Sequence, residues 1–82
     1  MKISIIIPVY NESERLGKLI QYLIQDKKEL VGEILVVDAG STDKTMEMAT
    51  QAGAIVVVSP KKGRAGQMHY GASLASGDVL YF

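Results

Sequence analysis

The sequence predicts an α/β fold in which four β-strands alternate with three helices along 82 residues. The predicted strands are short runs of mostly β-branched residues, a pattern typical of strands covered on both faces and therefore of a parallel sheet. The segments between them repeat apolar residues at helical spacing. Because parallel strands joined through helices cross over right-handed, the order βαβαβαβ predicts a doubly wound half-domain with a mostly parallel sheet.

The first half of the chain holds two predicted strands and one helix. Residues 2–9 form the first strand, and residues 33–38 form the second. Between them, leucines and isoleucines at residues 16–24 recur at helical spacing. They predict a helix that begins near Ser13, a residue that caps helices well, and reaches about Asp26.

The second half repeats the alternation with shorter elements. A second helix is expected to begin within residues 41–43, which cap well, and to end at Gly53. The third strand covers residues 54–58, and a basic, glycine-containing loop covers residues 59–66. A third helix then leads to a fourth strand over residues 78–82.

Composition excludes several classes of partner. Apolar residues make up 48% of the chain and charged residues 22%, the balance of a globular protein. Nine basic and nine acidic residues cancel, so no basic excess indicates binding to nucleic acid. The absence of cysteine fits a reducing, cytoplasmic compartment. No run approaches the ~20 apolar residues of a membrane span, and the expected partners are small molecules.

The first strand ends in PVYNE, residues 8–12, at the edge where doubly wound sheets bind ligands. This turn lacks the G-x-G-x-x-G pattern, which argues against a dinucleotide-binding fold of that type. Tyr10 could stack on a base, and Asn11 could either hydrogen-bond a base or cap the first helix.

The second strand ends in a carboxylate, Asp38, at the same edge. Such an acid can accept a ring N–H from a base, and N3–H of uracil or N1–H of guanine would suit it. The alternative is a turn-forming acid with no ligand. Gly40, two residues later, would let the backbone approach a ligand closely.

The only basic cluster is KKGRAGQ, residues 61–67. Three cations and two glycines lie directly before or at a predicted helix start, an arrangement that suits a diphosphate. A solvated charged loop is the alternative interpretation.

Taken together, these motifs resemble the start of a family 2 glycosyltransferase of GT-A fold. The matching segments are SIIIPVYNE, EILVVDAGSTDKT and GRAGQMHYGASLASGDVLYF, in the family's order and spacing. The third segment is similar to a bacterial subgroup of uncharacterised or arsenosugar-related glycosyltransferases. The resemblance implies a Rossmann-like half of a GT-A fold, with base and ribose held by the tyrosine-asparagine-glutamate turn and Asp38, and the diphosphate near Arg64. The expected nucleotide-binding residues are Pro8, Tyr10, Asn11, Glu12, Asp38, Gly40, Arg64 and Gln67.

Two departures from the family pattern qualify this expectation. The family usually has a second acid directly after the first, where this sequence has Ala39. The D-x-D pair that binds the divalent metal, Mn²⁺ or Mg²⁺, is expected after the fourth strand and so beyond Phe82. The 82 residues alone are therefore expected to hold no metal, to lack catalytic residues and to self-associate through the fourth strand.

The expected function is transfer of a sugar from a nucleotide-sugar donor, UDP-linked, to an unknown acceptor, with this chain supplying the nucleotide-binding half. One alternative is a non-catalytic fragment or nucleotide-binding interaction module that keeps the fold. The other is a sugar nucleotidyltransferase, which needs a glycine-rich basic loop after its first strand, where this chain has Tyr10, Asn11 and Glu12.

Overall fold

A computed structural model describes residues 3–11, 13–27, 29–60 and 63–81. Four strands and three helices alternate in this part of the chain. The elements are β1 Ile3–Val9, α1 Ser13–Asp26, β2 Val31–Asp38, α2 Thr45–Gln51, β3 Ile55–Val58, α3 Arg64–Leu74 and β4 Asp78–Tyr81. The strands form one parallel sheet in the order β3-β2-β1-β4. The predicted fold class is confirmed.

Two helices begin at other residues than the sequence predicts. The second helix, α2, begins at Thr45 and not within residues 41–43, because Asp43 Oδ1 accepts the backbone N–H of Thr45 and keeps the preceding residues in a loop. The third helix begins at Arg64, so the basic loop is shorter than predicted. Lys61 and Lys62 of that loop lie outside the described residues. Arg64 is therefore a helical residue at the ligand edge and not a loop residue.

The sheet is covered on both faces, which explains why its strands are almost continuously apolar. On one face α1 and α2 pack against a cluster that includes Ile5, Ile7 and Val36. On the other face α3 packs against a smaller cluster of Ile6, Leu35 and Val37. The alternation along β1 and β2 thus divides the core into two layers.

The contact between α3 and the sheet is close at one glycine. A Cβ atom on Gly71 would lie 2.7 Å from Cγ2 of Ile6 and 2.8 Å from Cγ2 of Val37. Only glycine therefore fits at this point of the helix without a shift in β1 or β2. The close approach fixes the height of α3 over the sheet and carries its first turn to the carboxyl ends of the strands.

The edge strand β4 is exposed at all four of its residues. Beside it lies an apolar depression of about 310 Å³, whose lining includes Ile5, Tyr22, Leu30 and Leu80. Self-association through this edge stays a prediction. Among the described residues, no helix combines the length and the apolar character needed to cross a bilayer.

Candidate functional site

The carboxyl ends of three strands lie side by side at one edge of the sheet. Val9 at the end of β1 is in register with Asp38 at the end of β2, and Asp38 is in register with Val58 at the end of β3. The segments that follow the three strands therefore emerge together, as parallel pairing requires. This edge is the candidate site.

Asp38 is fully buried, and its carboxylate accepts hydrogen bonds from the turn that follows it. Its Oδ2 accepts the backbone N–H groups of Gly40 at 2.7 Å and Ser41 at 2.6 Å, and its Oδ1 accepts the Ser41 hydroxyl. Gly40 has φ +96°, which a residue with a side chain rarely adopts. The structure thus gives Asp38 the turn-forming role that the sequence left open as an alternative. A direct contact with a base stays a prediction, which this geometry does not favour.

Asn11 joins the turn after β1 to the loop after β2. Its backbone is in the left-handed region at φ +51°. Its Oδ1 accepts the N–H of Thr42 at 2.9 Å and that of Asp43 at 3.4 Å, while its own N–H donates to Ser41 Oγ at 2.9 Å. Asn11 therefore caps the loop after β2, and capping of the first helix by Asn11 stays a prediction. The next residue, Glu12, lies outside the described residues.

Gln67, near the start of α3, connects the helix to the ends of β1 and β2 through hydrogen bonds. Its Nε2 donates to the carbonyl oxygen of Val9 at 2.9 Å and to that of Val37 at 2.8 Å. The residue is only 5% exposed. The sequence placed Gln67 among the ligand contacts, and the structure adds a structural role for its amide nitrogen.

A cavity of about 330 Å³ opens at this edge, lined by Tyr10, Ala39, Gly63 and Gln67. Its volume lies at the lower end of the range of ligand pockets, roughly 300–1,000 Å³. Tyr10 is 55% exposed, so its ring is available for stacking. The sequence predicted Tyr10 and Gln67 as contacts and placed Gly63 only within the basic loop that suits a diphosphate, whereas Ala39 was not predicted. The available signal was their position, since both small residues lie directly beside a strand end or a helix start.

The remaining predicted contacts differ in their access to the cavity. Arg64 is the exposed first residue of α3, directly after Gly63, which has φ +97° and no side chain to cap the helix. The first N–H groups of α3 thus lie beside the cavity, where an anion would be stabilised. Pro8, in contrast, is buried within β1 in register with Val37. This position makes it a strand residue, and a direct ligand contact is not favoured.

The described residues do not supply a metal site. No group of three or more His, Asp or Glu side chains lies close enough within them to hold an ion. Among the residues that the structure describes, Asp38 and Asp43 are the acids of the ligand edge, and both accept hydrogen bonds within their loop. These residues therefore do not fit a divalent cation on their own.

Comparisons with known proteins agree with this geometry. The model of a family described as Glycosyl transferase family 2 matches residues 4–82. An uncharacterised glycosyltransferase of Rickettsia felis is 40% identical over 79 residues, which are 96% of this chain and 26% of that protein.

Two solved structures superpose over almost the whole chain. Mannosyl-3-phosphoglycerate synthase from Rubrobacter xylanophilus has a TM-score of 0.90 at 29% identity, over 99% of this chain and 29% of that one. Glucosyl-3-phosphoglycerate synthase from Mycobacterium tuberculosis, solved with Mn²⁺, UDP and glucosyl-3-phosphoglycerate, has a TM-score of 0.84 at 29% identity. It is covered over 32% of its length, and this chain over 99%. The chain thus spans about a quarter to a third of these proteins.

Proposed function

Because the chain belongs to glycosyl transferase family 2, we propose that it forms the nucleotide-binding half of an enzyme that transfers a sugar from a UDP-linked donor to an acceptor. The observation that carries the proposal is the cavity between Tyr10, Ala39, Gly63 and Gln67 at the carboxyl edge of the sheet. This is the edge at which open α/β sheets bind ligands. A solved relative that binds UDP supports uracil as the base.

Each part of the nucleotide has a matching feature at this edge. The exposed ring of Tyr10 offers a stacking surface for the base. The first turn of α3 offers N–H groups and the guanidinium of Arg64 for the diphosphate. Gly63 lines the cavity, and apart from Gly63 itself and its chain neighbours no atom of the described residues lies within 4 Å of the place where a Cβ would stand, so these residues leave its backbone open to close approach.

The chemistry expected of such an enzyme is displacement at the anomeric carbon. An acceptor hydroxyl gives its proton to a general base and attacks this carbon, and the nucleoside diphosphate leaves with the bonding electrons. The described residues bind and orient the donor in this scheme. Since they hold no cluster of metal ligands, we assign no step to a metal within them.

Calorimetric titration with UDP, GDP and ADP tests the proposal. We expect selective binding of UDP, whereas a non-catalytic interaction module would bind none of the three selectively. The Arg64→Ala variant is expected to weaken UDP by about tenfold and uridine by much less, because a guanidinium addresses phosphate and not base. The matched cation control is Lys27→Ala, at the other end of the sheet. Equal losses for UDP and uridine in Arg64→Ala would place the diphosphate elsewhere.

A further inference from the structure

The amide of Gln67 has a fixed orientation. Its nitrogen lies within hydrogen-bond distance of two carbonyl oxygens, those of Val9 and Val37. Only the NH₂ group of a glutamine can donate to two carbonyls, so the nitrogen and oxygen positions follow from the chemistry of the partners. Both N–H groups of the amide donate to the strand ends, whereas the acceptor Oε1 makes no hydrogen bond to them.

This oxygen is open to a ligand. The described residues provide it with no hydrogen-bond donor, since the side-chain hydrogen bonds of Gln67 all run from Nε2. Within the same part of the chain, no fully buried side-chain nitrogen or oxygen lacks a partner. Oε1 is therefore an accessible acceptor on a residue that is only 5% exposed in total, and Gln67 lines the cavity.

We propose that Oε1 of Gln67 accepts the N3–H of the donor's uracil and so selects the base, an inference that rests on the proposed function. The two side chains that the sequence offered for a hydrogen bond to the base are already engaged. The carboxylate of Asp38 accepts N–H groups of its own turn, and Oδ1 of Asn11 accepts those of Thr42 and Asp43. Gln67 thus supplies the acceptor.

The hydrogen bonds from Nε2 give this contact its selectivity. Because both donors of the amide are held by the backbone, the amide cannot rotate to offer an N–H to a base that presents an acceptor. Cytosine has an acceptor at N3, which would face Oε1 unfavourably. A glutamine free to flip would accept either base, whereas this one discriminates uracil from cytosine.

The experiment compares UDP with N3-methyl-UDP, in which the donated hydrogen is replaced, and uses the protein produced from its complete gene. In the wild type we expect N3-methyl-UDP to bind about tenfold more weakly than UDP. In Gln67→Met this preference should fall to about twofold or less. The matched control is Gln25→Met, the same change at an exposed position on α1, and it should keep the wild-type preference. Retention of the full preference by Gln67→Met would overturn the proposal.

A second measurement does not depend on the folding of the variant. In wild-type protein with ¹³C-labelled glutamine, the Cδ resonance of Gln67 should shift on addition of UDP and stay in place with N3-methyl-UDP. The same response to both ligands would overturn the base contact. If the wild type bound no UDP, the proposed function itself would fail, whereas UDP binding without the Gln67 effects would contradict only this inference.

Discussion

Asn11 and Thr42 are joined by a hydrogen bond of 2.9 Å, from the backbone N–H of Thr42 to Oδ1 of Asn11. The bond connects the turn after β1 with the loop after β2, two segments separated by 31 residues of sequence. Asn11 makes it from a left-handed backbone conformation. Asparagine tolerates this conformation better than most residues and also provides an acceptor, so one residue type meets both requirements.

Variants of Asn11 separate the two requirements. Asn11→Gly removes the acceptor but keeps the backbone conformation, and should lower the free energy of unfolding by about 1 kcal/mol. Asn11→Ala also has to adopt a positive φ, which costs a further ~1–2 kcal/mol. Urea unfolding of the two variants and the wild type measures both terms. Equal stability of the Gly and Ala variants would show that the backbone conformation carries no cost.

Because Asp38 accepts hydrogen bonds from its own turn, we expect its replacement to lower the stability of the protein and not to remove a ligand contact. Asp38→Ala leaves the N–H groups of Gly40 and Ser41 without their acceptor, and the free energy of unfolding should fall by about 2–4 kcal/mol. Asp38→Asn keeps one acceptor oxygen and should lose less. Unfolding curves and UDP titrations of both variants provide the test. A large loss of UDP affinity at unchanged stability would restore the base contact predicted from the sequence.

The alternation of strands and helices could be predicted because it depends on local patterns. Runs of β-branched residues predicted β1 and β2, and the apolar period predicted a helix from near Ser13 to about Asp26, which agrees with the limits of α1. The predicted start of α2 was too early. Several neighbouring residues are good helix caps, and the sequence does not show that Asp43 is the one whose side chain accepts the N–H of Thr45.

The site was harder to predict, because side-chain direction depends on tertiary contacts. The sequence placed Asp38, Gly40, Arg64 and Gln67 at one edge, and the structure places them there. Whether a carboxylate at a strand end points to a ligand or to its own turn depends on its side-chain rotamer, which a sequence pattern does not determine. The bonds from Gln67 to the ends of two strands likewise appear only once α3 is packed on the sheet.

Two helical glycines should respond in opposite directions to the same substitution. Gly71→Ala forces a Cβ to within 3 Å of Ile6 and Val37, and the overpacking should destabilise the protein by about 1–3 kcal/mol. Gly17→Ala meets only the end of the Met48 side chain at 3.4 Å, so the better helix propensity of alanine should stabilise it by ~0.5–1 kcal/mol. Thermal unfolding of both variants measures the difference. A stabilised Gly71→Ala would show that α3 does not pack as closely as described.

The last prediction concerns the opposite edge of the sheet, where Glu33 connects β2 to β1 and to the segment before β4. Its Oε2 accepts the hydroxyl of Ser4 at 2.6 Å and the N–H and hydroxyl of Ser76 at 2.8 and 2.9 Å. The Ser4 hydroxyl, followed by the backbone of Ser76, lowers the pKa of Glu33 below its ordinary value of 4.5, against a smaller opposing effect of burial.

The lowered pKa determines the direction of a pH effect on stability. Because the folded state holds the proton of Glu33 less tightly than the unfolded state, this contribution is fully present above the ordinary pKa of 4.5 and is lost as the pH falls through the lower, folded value. In Glu33→Gln the side chain does not titrate, so the contribution is absent. Urea midpoints at about pH 7 and about pH 3 should therefore fall further in the wild type than in Glu33→Gln. Equal decreases in the two proteins would mean that the carboxylate gains nothing from the two serines, since the remaining acids are common to both.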